Sequence, residues 1–395
     1  MPIALTRRAS LLGLATIAAA GRARLALASA PTEQRFVVVL LRGALDGMAA
    51  VVPYGDANLA RLRAPLIPAK DALLDLGGFF AFHSALTNLH RLYRKGDVLP
   101  VHAIAGPYRT RSHFEAQDLL QTGVDQAGIT SGWLNRLIAE LPAGGVAGRG
   151  LAIGMGMPLL LRGAARVGSY APAGFAKPSP DLYAHIAALN RPDPVFGPAI
   201  VEGLRSAHLD HATLDNATMD ESGSVPHGYG FPVLARATGA LLAAKGGPRI
   251  AAFQLEGWDT HGNQVALLHE PLADLDAGIA ALRISLGPAW QTTTILIITE
   301  FGRTARINGT QGTDHGTATV AFLAGGLVAG GRVRATWPGL ADRQLFQNRD
   351  LAPTADIRSL AKGVIAAQFG LDAAALARVF PNSADAAPMT GLLRA

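Results

Sequence analysis

The sequence predicts an α/β protein built on a mostly parallel central sheet with helices on both faces. Three observations carry that prediction. Apolar, β-branched runs such as 35–41 and 294–299 are continuous rather than alternating, as in strands buried on both faces. Helical periodicity recurs between these runs, for example over 86–93 and 267–286. Polar residues then gather where the apolar runs stop, and open α/β sheets bind ligands beyond the carboxyl ends of their strands.

Taken in order, the first strand spans 35–41 and breaks at Arg42-Gly-Ala-Leu-Asp46-Gly47. A helix over 86–93 leads to a second strand over 98–104, with Pro100 near its start. The loop from Gly106 to His113 opens a helix carrying Phe114, Ala116, Leu119 and Leu120. Residues 130–245 are less regular, with Pro/Gly-rich loops and Ala/Leu helices, and read as a helical and loop insertion or cap. A third strand over 249–255 ends in Glu256-Gly-Trp-Asp259-Thr-His261. A helix over 267–286, a fourth strand over 294–299, a fifth over 317–323 and a closing helix over 354–369 follow. One domain is expected over 31–382, with a C-terminal tail over 383–395; no internal repeat is present.

Bulk composition narrows the function. Hydrophobic residues make up 49% of the chain and charged ones 16%, which excludes a disordered polymer. The 45 glycines and 24 prolines imply many turns rather than a helical bundle. A net charge of +6 suggests nucleic acid, but Arg7, Arg8, Arg22 and Arg24 supply four of those charges from a segment without acids, leaving 6 − 4 = 2. No basic run with interleaved aromatics exists elsewhere, so no nucleic-acid partner is expected. Cysteine is absent, which removes disulfides, thiolate ligands and a cysteine nucleophile.

Residues 1–30 read as a twin-arginine (Tat) export signal. Arg7-Arg8 precedes a mildly apolar stretch, and Ala26-Leu-Ala28 and Ala28-Ser-Ala30 offer cleavage after Ala28 or Ala30. Ser10 and the pair Arg22 and Arg24 depart from an ideal signal. The expected partner is the Tat machinery, and the expected location periplasmic or secreted. No later segment reaches the roughly eighteen apolar residues of a membrane span.

Four loops that follow strands hold most of the reactive side chains: Asp46, Ser112-His113, Asp259 with His261, and Glu300. Asp314-His315 precedes the fifth strand. Carboxylates and imidazoles this close on loops can turn toward one ion. Ser112 stands at a loop-to-helix junction, where free N–H groups favour an anion, although a serine there also serves as a plain helix cap. Arg109 and Arg111 beside it add positive charge suited to phosphate or sulfate oxygens. His83 reads as a core residue. No phosphate loop ending in Gly-Lys-Ser/Thr and no Gly-x-Ser-x-Gly elbow is present, and Gly154-Met-Gly156 is too short for a dinucleotide fingerprint.

Six segments in one order, Arg42 to Gly47, Arg111 to Asp118, Trp258 to His261, Thr299 to Thr304, Gly312 to Gly316 and Trp337-Pro-Gly339, resemble the Tat-exported family named domain of unknown function 1501 (DUF1501). That family is similar in fold to the alkaline phosphatase and sulfatase superfamily. The resemblance implies an exported hydrolase of phosphate or sulfate esters, acting on an anionic small molecule or glycan. Ser112 would attack, with Arg111 and His113 assisting. Asp46, Asp259, His261, Glu300, Asp314 and His315 would hold a divalent metal, zinc or calcium. The alternative is a non-catalytic envelope binding protein that keeps the fold. Three departures from the superfamily pattern stand out: Glu300-Phe301 replaces Asp-His, Asp259 and His261 are closer together than its usual spacing, and no histidine follows His315.

Overall fold

The computed structural model describes residues 33–142, 150–154, 156–170 and 230–394; the export-like segment 1–30 and part of 130–245 lie outside them. Their centre is an eight-stranded sheet. In chain order its strands are β1 (Arg35–Leu41), β5 (Val98–Ala105), β6 (Gly150–Ile153), β7 (Val167–Tyr170), β8 (Ile250–Leu255), β9 (Thr293–Thr299), β10 (Thr319–Ala324) and β11 (Ala355–Asp356). Three short strands, β2 (Val51–Val52), β3 (Leu74–Asp75) and β4 (Ala81–Phe82), form a separate antiparallel sheet.

Spatial order in the large sheet is β11-β5-β10-β9-β1-β8-β6-β7. Every neighbouring pair is parallel except those of β10, which runs antiparallel to both β5 and β9. Both faces are covered, and this explains the continuous apolar runs. In β1, Val37, Val39 and Leu41 enter one core while Phe36, Val38 and Leu40 enter the other. The first core is closed by helices Thr87–Arg94, Phe231–Ala243 and Gln264–Leu286. The second is closed by Trp133–Glu140, Ile357–Phe369 and Ala373–Val379. A two-sided strand has no polar face to alternate.

The described parts of 130–245 and 383–395 are both tied to the rest of the fold. The described part of 130–245 contributes β6 and β7 to the sheet edge, with β6 in parallel register on β8 (Ala152 opposite Ala252). Nor do residues 383–394 hang loose. Leu392 is buried, and backbone bonds join Ala329 to Leu392 at 2.9 Å and Arg394 to Leu327 at 2.8 Å. No described helix is long and apolar enough to cross a membrane.

Candidate metal centre

Register places the reactive loops side by side. Leu41 of β1 lies opposite Leu255 of β8 and Thr299 of β9, so the loops beginning at Arg42, Glu256 and Glu300 leave the sheet at one level. The fifth strand is reversed, so the residues before it, Asp314-His315, arrive at the same edge. Arg303 then ties the loops together. Its buried guanidinium donates to the carbonyls of Ala44 (3.0 Å), Thr313 (3.1 Å), Gly43 (3.2 Å) and Trp258 (3.3 Å), and also pairs with Asp259. Nothing in the sequence marks Arg303 for this role beyond its place four residues past the end of β9, in the Thr299 to Thr304 segment.

Three imidazoles converge here. His315 Nε2 lies 2.9 Å from His113 Nε2 and 2.9 Å from His261 Nε2. Asp259 borders all three, with its oxygens 3.1 Å from His261 Nε2, 3.5 Å from His315 Nε2 and 3.6 Å from His113 Nε2. Ligand atoms of His113, Asp259 and His315 all lie within 4.8 Å of one another, close enough to share one ion.

The opposite nitrogen of each ring decides what the cluster can do. His113 Nδ1 donates to Glu300 Oε1 at 2.8 Å and His315 Nδ1 to the Arg111 carbonyl at 3.0 Å, while His261 Nδ1 lies 3.2 Å from Asp314 Oδ1. Ionised carboxylates and carbonyls only accept, so His113 and His315 carry a hydrogen on Nδ1 and turn an Nε2 lone pair inward, whereas His261 has a carboxylate at each nitrogen, Asp314 at Nδ1 and Asp259 at Nε2. Lone pairs facing each other at 2.9 Å repel unless a proton or a cation lies between them. A carboxylate or carbonyl behind each imidazole is also how proteins orient metal-binding histidines. The residues therefore fit a metal ion.

Charge is arranged consistently with this. Burial raises the Glu300 carboxyl, but bonds from His113, Gln117, its own amide and Gly43 outweigh it and hold it below the usual range. Burial likewise raises Asp259, and Arg303, then His261 and His113, bring it below normal. Asp314 is lowered chiefly by the Asn308 amide. Burial, followed by the nearby His113 and Arg303, lowers His315, which favours the neutral ring.

Several candidate residues take other roles. Asp46 is fully buried and committed: Arg63 Nη1 donates to both its oxygens (2.9 and 2.8 Å), Gln264 Nε2 at 2.6 Å, and Met48 and Ala49 amides cap the next helix on Oδ1. Its lone pairs are spent, so it does not join the cluster. Glu300 and Asp314 stand behind histidines rather than facing the shared centre. Arg111 points its guanidinium at Asp350 (3.0 and 2.7 Å) and Gln347 (2.6 Å), leaving only its carbonyl toward His315. The expected anion-binding guanidinium is thus engaged elsewhere. Ser112 is half-buried at the start of helix His113–Thr122 and makes no side-chain capping bond. Arg109 bonds backbone carbonyls of its own loop. His83 is buried near His269, as expected of a core residue. Phe301, in the place of the absent histidine, is buried with its ring centroid 4.9 Å from His113 and 5.3 Å from His315.

A family profile described as "Protein of unknown function (DUF1501)" matches residues 102–380. The chain belongs to the DUF1501 family. Among solved structures, Ps i-CgsB is similar over 86% of this DUF1501 protein and 72% of its own chain, at 11% identity and TM-score 0.40. A protein in the alkaline phosphatase superfamily from Vibrio parahaemolyticus is similar over 85% and 66%, at 11% identity and TM-score 0.39. The C-terminal periplasmic domain of EcEptC from Escherichia coli, in complex with Zn, is similar over 74% and 73%, at 9% identity and TM-score 0.34. At these scores no activity or site residue carries over to the DUF1501 protein. No curated protein matches it significantly.

Proposed function

We propose that this DUF1501 protein is an exported, metal-dependent hydrolase of phosphate or sulfate esters. The observation that carries the reading is the convergence of three imidazole Nε2 atoms beside Asp259, with an oxygen acceptor at the Nδ1 of each ring. His113, His261, His315 and Asp259 would hold the ion. Three nitrogens and one carboxylate suit zinc better than calcium, which takes oxygen ligands. When bound, such an ion supplies positive charge to an ester oxygen and activates an oxygen nucleophile.

The chain's own groups would do the rest. Glu300, Asp314 and the Arg111 carbonyl orient the three rings from their Nδ1 sides. Ser112 is the candidate nucleophile. It lies between Arg111, whose carbonyl holds His315, and His113, at the amino end of a ten-residue helix. The dipole and first amides of that helix favour an anion. Phe301 packs beneath His113 and His315 and limits their rotation.

The test uses the full chain, expressed with its export segment. Metal content is measured first, then turnover of aryl phosphate and aryl sulfate esters. The expected result is about one zinc per chain, lost in His315→Ala, and Ser112→Ala protein that keeps zinc while losing turnover by several orders of magnitude. Protein without bound metal, or a Ser112→Ala variant as active as the parent, would overturn the reading. A second reading, a non-catalytic envelope protein that keeps the fold and binds a partner or glycan, is favoured by the engagement of Arg111 with Asp350, which takes that guanidinium away from an ester beside Ser112. It predicts metal without ester turnover.

A further inference from the structure

Arg42 and Gln117 lie in sequence motifs that the metal reading leaves without a role. Gln117 touches the carboxylate behind His113, and Arg42 touches Gln117. Gln117 follows His113 by four residues on one helix, so the two side chains share a face. Both reach the same atom: Glu300 Oε1 accepts from His113 Nδ1 at 2.8 Å and from Gln117 Nε2 at 2.9 Å. The Gly43 amide adds a third donor at 2.9 Å, and Thr299 Oγ1 donates to the other oxygen at 2.8 Å.

Arg42 acts one step further out. It leaves β1 at the level where Glu256 leaves β8 and Glu300 leaves β9. Its Nε and Nη2 donate to Gln117 Oε1 at 3.0 and 2.6 Å, while its Nη1 pairs with Glu256 at 2.9 Å. A glutamine amide has one accepting and one donating end. With Arg42 on the accepting end, only the NH2 group can face Glu300. Turned the other way, the amide would set its oxygen against a carboxylate.

We propose that Gln117 and Arg42 are positioning residues that fix Glu300, and through it the ring of His113, so that His113 Nε2 faces the cluster. This rests on the metal reading above. Gly43 and Thr299 would still hold Glu300 if Gln117 were lost, so the effect is a weakening rather than an abolition. Glu256 is mostly exposed, with 69% of its side chain in solvent, so its pair with Arg42 contributes little.

Two measurements on the full chain test this. Zinc affinity is taken by competition with a chromophoric chelator. The His113 Nδ1–H resonance is followed by imidazole 15N NMR in metal-free protein. Gln117→Leu should weaken zinc binding about 10-fold, the lower end for partners behind a ligand. Arg42→Ala should weaken it by less, and Glu256→Ala should match the parent. In Gln117→Leu the His113 resonance should shift or broaden while the unfolding midpoint of the metal-free protein stays near the parent's. Parent-like affinity and an unmoved His113 resonance in both Gln117→Leu and Arg42→Ala would overturn the proposal. Arg42 is partly exposed, so its variant reads the same relay should Gln117→Leu fail to fold. If the parent binds no zinc, the metal reading falls separately, and the metal-free NMR comparison still decides whether Gln117 orients His113.

Discussion

At Asp46 a carboxylate without solvent exposure accepts two bonds from Arg63, one from Gln264 and two from backbone amides. Arg63 is itself buried and continues to the carbonyls of Ala305 and Thr304. Removing one member of a buried pair strands the other's charge, at a cost of about 3–5 kcal/mol. Asp46→Ala should therefore lower the free energy of urea unfolding by about that amount, while the folded fraction still takes up zinc. A loss below about 1 kcal/mol, or folded protein without zinc, would show that Asp46 belongs to the centre after all. The same residue shows where a sequence stops specifying a site. Asp259, His261 and His315 were legible because their imidazole and carboxylate neighbours sit within two residues in the chain. What Asp46 and Arg111 bind was not, because Arg63 lies 17 residues away and Asp350 lies 239 away. A charged side chain announces its chemistry but not which opposite charge the fold will bring to it.

The elements show a parallel limit. Strands β1, β5, β8 and β9 and their intervening helices fall within a few residues of expectation, because burial on both faces writes itself as an unbroken apolar run. The direction of β10 leaves no such trace, since an antiparallel strand in a covered sheet has the same pattern. Yet its direction delivers His315 to the centre. The loop that feeds it packs backbone to backbone: a Cβ at Gly312 would collide with the His261 carbonyl, and one at Gly316 with the Arg303 carbonyl. Gly312→Ala should thus push apart the loops that carry His261 and His315. We expect weaker zinc binding by about tenfold, the scale of losing one orienting partner, together with a lower unfolding midpoint. Parent-like affinity would mean that the two loops are held by Arg303 alone and tolerate separation.

On the scale of the whole molecule, the described histidines set how stability responds to acid. His102 is fully buried between the Phe80 and Trp337 rings, donating from Nε2 to the Val51 carbonyl (3.0 Å) and accepting the Ala103 amide on Nδ1 (2.8 Å). Burial pushes it down to about 4. His83 accepts the Ala85 amide at 3.1 Å, and burial, then His269, push it down to about 4 as well. An unfolded histidine titrates near 6.5, so between about 6.5 and 4 the unfolded chain takes protons that the native one refuses. Stability from these two residues is complete above about 6.5 and drains away as the pH falls. Carboxylates lowered in the fold, such as Asp75 and Asp385, lose their contribution only below their unfolded values near 4. Lowering the pH from 7.5 to 5 should thus remove a few kcal/mol, a large part of a typical 5–15 kcal/mol. Urea titrations of chelator-treated protein at the two pH values measure this without any contribution from bound metal. His83→Asn keeps an acceptor for Ala85 but has no proton to gain, so it should lessen the loss, the remainder coming from His102 and the lowered His315. A free energy that does not change between pH 7.5 and 5, or a slope that His83→Asn leaves intact, would mean that these rings are protonated in the fold.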